Sequence, residues 1–400
     1  MIRRRVYLRP EGWYYLFVIV FVVGGAVLRN VNVLVALAGL MAAALILHWH
    51  LVLRSLSGLD VIRSMPARLC AGDPLEVEVT IQHRGQRGTA WALEFSDQLE
   101  RIDPPDDDPA TAVQLLFPRV VAGSQETRRY QCQLSRRGVY RFSKARIASR
   151  YPLGLVEGTC FLDLPDRVVV YPLMGKLNRE WNKLIEAEQS GQQSTRHRRG
   201  MHEGDFYALR EWQSGDSQRW IHWRTSAKLG TLAVRQFEQR RSCNVTIVLD
   251  LHQPTNPTNQ DRAMVEAAIS FVATAVVDLC RHGGSALGLV VASREVGHWS
   301  SAASPLFAQE LLEHLSVCRP ADATRLSDAA DRLAELHRPG SKVLVLSTRS
   351  REDAAATLDR KTRDGVKWRL LEQGVWLNGS AGEFDPHFSL EDTTSALSAT

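Results

Sequence analysis

Two uncharged apolar runs near the start of this chain limit its fold more than any other feature. Residues 13–28 read WYYLFVIVFVVGGAVL, and residues 33–53 read VLVALAGLMAAALILHWHLVL. The second run approaches the roughly 20 residues that cross a hydrocarbon core, and residues flanking the first lengthen it. Arg29, Asn30 and Asn32 separate them, so a transmembrane helical hairpin is expected over 13–53. Trp13, Tyr14, Tyr15 and Trp49 fall near the ends that meet one headgroup layer. A signal peptide needs a small-residue cleavage site followed by polar sequence; here a second apolar run follows instead. His48 and His50, near the end of that run, are expected at headgroup level.

Orientation follows from the positive residues. Arg3, Arg4, Arg5 and Arg9 precede the hairpin and Arg54, Arg63 and Arg68 follow it. Positive flanks stay inside, so both termini and the soluble domains are expected in the cytoplasm, attached to the inner membrane, with residues 1–12 as a cytoplasmic N-terminus. The six cysteines, Cys70, Cys132, Cys160, Cys243, Cys280 and Cys318, form neither a CxxC pair nor a Cys/His cluster at metal spacing. Buried reduced thiols in a reducing compartment are the expectation.

At 400 residues the chain is long enough for two or three domains, and 44% hydrophobic with 23% charged residues is the balance of a folded protein. Residues 58–175 read as a β-sandwich-like domain. LEVEVTIQH (75–83), ALEFS (92–96), AVQLLFP (112–118), RRYQCQLS (128–135), GVYRFSKARIAS (138–149) and DRVVVYP (166–172) alternate or run β-branched and aromatic between Gly, Pro and Asp clusters. The PPDDDP stretch within 104–109 reads as an exposed loop, and no catalytic constellation occurs in this domain. Residues 176–200 read as a polar linker or arm with one short helix-like piece and the basic cluster RHRR (196–199), which leads into the segment ending at 241.

From 242 to 385 the pattern changes to strands separated by amphipathic helices. NVTIVLDL (244–251), SALGLVVAS (285–293), SKVLVLSTR (341–349) and VKWRLLEQ (366–373) read as strands. Residues 261–283, 305–317, 325–338 and 351–361 read as helices. Continuous apolar strands between helices predict a mainly parallel, Rossmann-like sheet covered on both faces. Ligands of such sheets sit at the carboxyl ends of strands, which marks Asp250. Residues 386–400 are left as a C-terminal tail.

Basic, aromatic and turn residues interleave without a period over 196–241, with ten Arg/Lys against five Asp/Glu. Within it Gly204, Asp205, Phe206, Leu209, Arg210, Trp212, Gly215, Asp216, Arg219, Ile221, Trp223, Ser226, Ala227, Gly230, Leu232, Val234, Arg235, Phe237 and Glu238 keep a fixed spacing. That spacing resembles the signature of the bacterial domain-of-unknown-function-58 family. The hairpin, the segment 136–158 and the α/β region resemble the family more loosely. The resemblance implies a von Willebrand factor A-like domain and association with AAA+ ATPases of the MoxR type.

A von Willebrand A domain that binds Mg²⁺ uses Asp-x-Ser-x-Ser after its first strand, because the ion takes hard oxygens, some of them neutral hydroxyls. Here the stretch is Asp250-Leu251-His252-Gln253-Pro254. Imidazole is a poor Mg²⁺ ligand and proline offers no donor, so Asp250 and His252 are read as a degenerate remnant. Arg349, after the later strand, would repel a cation. Thr324 and Ser327 near the rim do not restore the site, and Asp250 is expected to cap a helix or pair with an arginine.

Neither His222 with Asp216 nor His252 with Asp250 has a nucleophile at a motif position, and no Gly-rich phosphate loop occurs. No catalytic residue, cofactor or metal is expected. Trp212, Trp220 and Trp223 among arginines suggest base stacking, but Glu203, Asp205, Glu211, Asp216 and Glu238 break the basic stripe, so nucleic acid is not the expected partner. The signature residues are read as an interdomain brace or partner surface. The whole predicts a non-enzymatic, membrane-anchored adaptor or assembly factor working with a MoxR-type ATPase. Other readings are a structural cell-envelope protein without that partner, or a metal-dependent binding module.

Overall fold

The structure, a computed structural model, describes residues 3–85, 88–103, 111–143, 145–187, 206–213, 216, 218–237, 244–282, 286–337, 341–356 and 371–390. Contacts divide the chain into two units, one mainly residues 1–174 and the other mainly residues 175–392.

The first unit opens with strand β1 (Arg3–Leu8), then helix α1 (Pro10–Arg29) and helix α2 (Asn32–Ser55). Pro10 starts α1 where a missing N–H costs nothing. Asn30 turns the chain with φ 49°, a conformation that asparagine tolerates better than most side chains. Both helices are long and apolar enough to cross a membrane. So is one helix of the second unit, but its most apolar stretch is 56% buried against 11% for α1 and α2. That third helix is therefore a core helix, whereas α1 and α2 turn Phe17, Phe21 and Leu28 outward.

Strands β2 (Leu59–Ser64), β3 (Arg68–Cys70), β4 (Pro74–His83), β5 (Thr89–Asp103), β6 (Thr111–Val121), β7 (Gln125–Gln133), β8 (Gly138–Phe142), β9 (Ala145–Ser149), β10 (Val156–Leu162) and β11 (Arg167–Tyr171) follow. They form a three-stranded antiparallel sheet, β2-β4-β7, and an eight-stranded sheet, β1-β10-β9-β5-β8-β11-β3, with β6 on β5. Among the described residues, only β11 with β3 is parallel in these two sheets. Alternation in β4 buries Leu75, Val77, Val79 and Ile81 completely, and they share one core with Leu93 and Phe95 of β5 and Phe117 of β6. Period-two alternation with one apolar face is what an antiparallel sheet needs in order to cover a core.

Residues 3–8, part of the expected N-terminal segment 1–12, form a strand. β1 pairs with β10 from Arg3↔Phe161 to Leu8↔Val156. Two further strands, β2 and β10, carry no clear alternation in sequence, and GVYRFSKARIAS splits into β8 and β9. The end of α2 lies on β10 at Gly158, where an added Cβ would stand 2.6 Å from Val52 and 2.5 Å from Leu56.

The remaining elements are β12 (Lys176–Leu177), α3 (Arg179–Ala187), β13 (Phe206–Glu211), α4 (Trp223–Leu229), β14 (Ala233–Phe237), β15 (Val245–Asp250), α5 (Asn259–His282), β16 (Ala286–Ala292), β17 (Val296–Ala302), α6 (Pro305–Val317), α7 (Leu326–Leu336), β18 (Lys342–Ser347), α8 (Arg351–Ala356), β19 (Val375–Asn378) and β20 (Phe388–Ser389). The central sheet runs β17-β16-β15-β18-β19. It is mixed: β16, β15, β18 and β19 are parallel, and β17 is an antiparallel edge. Every residue of β15 and of β18 is buried, so both faces of the sheet are covered. One cover is α7, whose Leu326, Ala329, Ala330 and Leu333 share a core with Val248, Val290 and Val345.

This unit differs from the sequence reading in three places. The central sheet pairs β16, β15, β18 and β19 in parallel, as expected, but adds the antiparallel edge β17, which was not read because VGHWSSA (296–302) mixes small and polar residues that hide a strand. The last strand of the central sheet is β19; of 366–373, expected to be that strand, residues 371–373 are helical, with Leu371 fully buried, and residues 366–370 lie outside the described residues. Two pieces assigned to a linker and a tail belong to the fold. Trp181 of α3 is fully buried edge-on to Phe271 of α5, while Phe388 stacks on Phe271 and its strand β20 pairs with β12. The basic cluster 196–199 and the acidic loop 104–109 lie outside the described residues.

Candidate functional site

The signature segment folds as a hairpin with a helical insert. β13 pairs antiparallel with β14, in the register Leu209↔Arg235, Arg210↔Val234 and Glu211↔Ala233. Between them lie a 3₁₀ turn at Gln218–Trp220 and α4. His222 caps α4, its Nδ1 accepting from the Thr225 amide at 3.3 Å, and Gly230 ends it with φ 72°. Ser226 ties the insert to the hairpin: its hydroxyl accepts from the Ala233 amide at 2.8 Å. Ile221 bridges to Val234, and both are buried.

Arg210 holds Asp216 through two bonds of 2.7 Å each, and Asp216 also accepts from the Gln213 amide at 2.9 Å. The Arg210 guanidinium, with that amide, keeps the Asp216 carboxyl below its ordinary range. This planar fork closes the turn of its own hairpin, whereas the sequence reading had such pairs brace separate domains. Phe206 is placed by its backbone pairing with Phe237. Arg219, Trp223 and Arg235 are exposed, Trp223 at 66%, and so are Trp212 and Leu232, which the Trp212 amide joins by donating to the Leu232 carbonyl. Asp205, Gly215 and Glu238 lie outside the described residues.

The second cluster stands at the carboxyl ends of β15 and β18, where neighbouring strands end at Asp250 and Ser347. Asp250 is fully buried. It accepts from Ser347 Oγ at 2.9 Å and from Arg349 Nε at 2.9 Å. Arg349 Nη2 also donates to Thr324 Oγ1 at 2.7 Å, and Thr348 Oγ1 donates to the carbonyl of His252 at 2.6 Å. A divalent cation asks for free carboxylate and hydroxyl oxygens. Here the Arg349 guanidinium takes Asp250 Oδ2 and the Thr324 hydroxyl, so these residues do not fit a cation. His252 is half-buried, and burial, with the Arg349 charge beside it, pushes its imidazole below the usual range. Among the described residues no three His, Cys, Asp or Glu side chains gather as a metal site. Asp250, Arg349 and Thr324 were each singled out in sequence, but the pairing of the first two across 99 positions is a product of strand order, and the bond from Arg349 to Thr324 was not legible.

A further buried ionic cluster was missed altogether. Arg63 of β2 has no exposed side-chain surface and forks onto Asp97 of β5 at 3.0 and 2.8 Å. It also donates to Asp166 at 2.6 Å and lies over the Phe142 ring, while Tyr130 of β7 donates to Asp97 at 3.1 Å. It joins the two sheets of the first unit and presents no open coordination position or nucleophile.

These features define a chain with two candidate membrane-spanning helices and a mixed-sheet domain whose strand-end carboxylate is neutralised from within. Residues 208–364 match the family described as Protein of unknown function DUF58. The chain is 25% identical over 271 residues to the Uncharacterized protein YeaD of Bacillus subtilis (strain 168), covering 68% of this chain and 63% of that relative. It thus spans less than two thirds of the relative's length. Solved structures resemble it only weakly: the CARDB domain of a Pyrococcus furiosus protein (12% identity, 28% of this chain and 94% of that one, TM-score 0.21) and a β-glucosidase of Listeria innocua (17% identity, 28% and 16%, TM-score 0.18). Likenesses of this size bear on neither fold nor function.

Proposed function

We propose that this protein is a membrane-anchored, non-enzymatic adaptor or assembly factor of the domain-of-unknown-function-58 kind. α1 and α2 hold it to the inner membrane, and the soluble domains face the cytoplasm. The second unit serves as a von Willebrand A-like binding domain that has exchanged its metal for an internal ion pair. The Asp250–Arg349 contact carries this reading. In a metal-dependent domain the strand-end carboxylate stays available to an ion that a partner's carboxylate completes. Here the carboxylate is engaged by Arg349 and Ser347, so binding falls to other surfaces. The exposed Trp212 and Trp223 of the signature hairpin are the kind of aromatic side chains that anchor protein interfaces. The partner class suggested by the family resemblance is a MoxR-type AAA+ ATPase.

The test is co-purification of the full chain from detergent extracts of its own cells, with and without ATP. Retention of an AAA+ ATPase, lost in a Trp212→Ala, Trp223→Ala variant of unchanged melting temperature, supports the proposal. Retention of no such ATPase under either condition overturns it.

A further inference from the structure

We propose that the loop between β9 and β10, together with Trp91, forms a foot that seats the first unit in the interfacial layer of a phospholipid bilayer. The proposal rests on the reading of α1 and α2 as membrane spans and adds a third membrane contact made by the β-domain.

The loop is pinned to both helices at some depth. At one root, the Arg150 carbonyl lies 3.2 Å from Nε2 of His48, two helical turns before α2 ends at Ser55. At about 1.5 Å of rise per residue, that contact stands about 10 Å along the helix from its end. At the other root, the Leu155 carbonyl accepts from the Arg9 amide at 3.0 Å and packs on Gly12, where an added Cβ would stand 2.3 Å from it. Gly12 is in the first turn of α1, next to Trp13 and Tyr14, which are 61% and 73% exposed. The loop therefore runs at the level of the aromatic residues that mark the headgroup region of the helices.

What it carries at that level is apolar and outward. Residues 151–155 are Tyr-Pro-Leu-Gly-Leu, without a charge. Leu153 is 53% exposed and Tyr151 41%. Tyr151 stacks on Trp91 of β5 with ring centroids 5.6 Å apart, and Arg119 of β6 sits 5.2 Å over the other ring of that pair, Trp91. Aromatic rings backed by a guanidinium fit a surface that is part hydrocarbon and part phosphate. Leu153 gains by burial among acyl chains, the rings settle among the headgroups, and Arg119 meets a lipid phosphate. Polar roots support the foot from within. Glu157 is almost fully buried and takes Arg150 Nε at 2.9 Å and a bond from Arg146, which fixes the start of the loop.

The test uses the full chain in phospholipid vesicles. Leu153→Cys, Tyr151→Cys and Phe21→Cys each carry an environment-sensitive fluorophore, and the signal of the parent chain taken through the same labelling is subtracted. Phe21, in the middle of α1, reports whether the helices span. The expected result at positions 151 and 153 is quenching at least about twofold stronger by a shallow nitroxide lipid than by aqueous iodide, as for a residue in the interfacial layer. Lipid quenching at position 21 with iodide-only quenching at 151 and 153 overturns the foot and leaves the anchor standing. Iodide quenching at position 21 overturns the anchor, and the foot with it.

Discussion

Asp250 and Arg349 are buried at the carboxyl ends of adjacent strands, and each satisfies the other. Removing one partner leaves a charge in a site that water does not reach. Arg349→Leu is therefore expected to lower unfolding stability by about 3–5 kcal/mol, read by denaturant unfolding of the full chain in detergent. A loss below about 1 kcal/mol would mean that the site is wetter than its geometry indicates. His252, two residues on, adds a pH dependence. Its folded pKa is lowered by burial and by Arg349, so between that value and the unfolded value near 6.5 the unfolded chain binds more protons. Stability from this residue is fully present above about pH 6.5 and is lost as pH falls through the lowered folded value. His252→Gln is expected to flatten the slope below pH 6.5 in melting temperature against pH, and an unchanged slope would remove His252 as its source. That His252 and Pro254 offer a hard cation no hydroxyl oxygen was legible in sequence, because one short stretch contains both. That Asp250 would cap a helix or pair with an arginine was expected, but that the arginine is Arg349 was not legible, since the contact depends on the order of strands in the sheet.

Elements were legible where one period dominated. The runs 13–28 and 33–53 gave α1 and α2, and the β4 alternation gave its strand, because continuous or strictly alternating hydrophobicity admits few other solutions. β1 was hidden because its arginines read as the basic flank of a membrane span, and only the register with β10 shows that alternate residues serve a sheet. The helix α3 was recognised as a helix but assigned to a linker: one tryptophan in a polar stretch does not announce burial. Trp181→Ala is expected to cost about 3–5 kcal/mol, since it removes a fully buried indole packed on Phe271, and denaturant unfolding measures it. An equal cost at the exposed Trp223 would show that burial is not the cause. Gly158 makes a second test. An added methyl meets Val52 and Leu56, so Gly158→Ala is expected to destabilise by about 1–3 kcal/mol through a shift of α2 on β10. Unchanged thermal stability of the solubilised chain would show that this contact is loose.

At the scale of the whole molecule, the pairing of β1 with β10 gives the membrane topology a footing independent of charge counting. The strand before α1 and the strands after α2 belong to one sheet, and a hydrogen-bonded sheet cannot be divided by a bilayer. The two helices therefore cross as a hairpin or not at all, and the turn at Asn30 must lie on the side opposite the soluble unit. Positive flanks then choose which side that is. In right-side-out membrane vesicles, Asn30→Cys is expected to react with a membrane-impermeant maleimide. Arg129→Cys, exposed on β7, is expected to react only after the vesicles are opened, with labelling of the parent chain subtracted in both cases. Reaction at 129 and protection at 30 in sealed vesicles would keep the hairpin and reverse its orientation. Reaction at both positions in sealed vesicles would mean that the helices do not cross, because the sheet pairing forbids placing β1 and β10 on different sides.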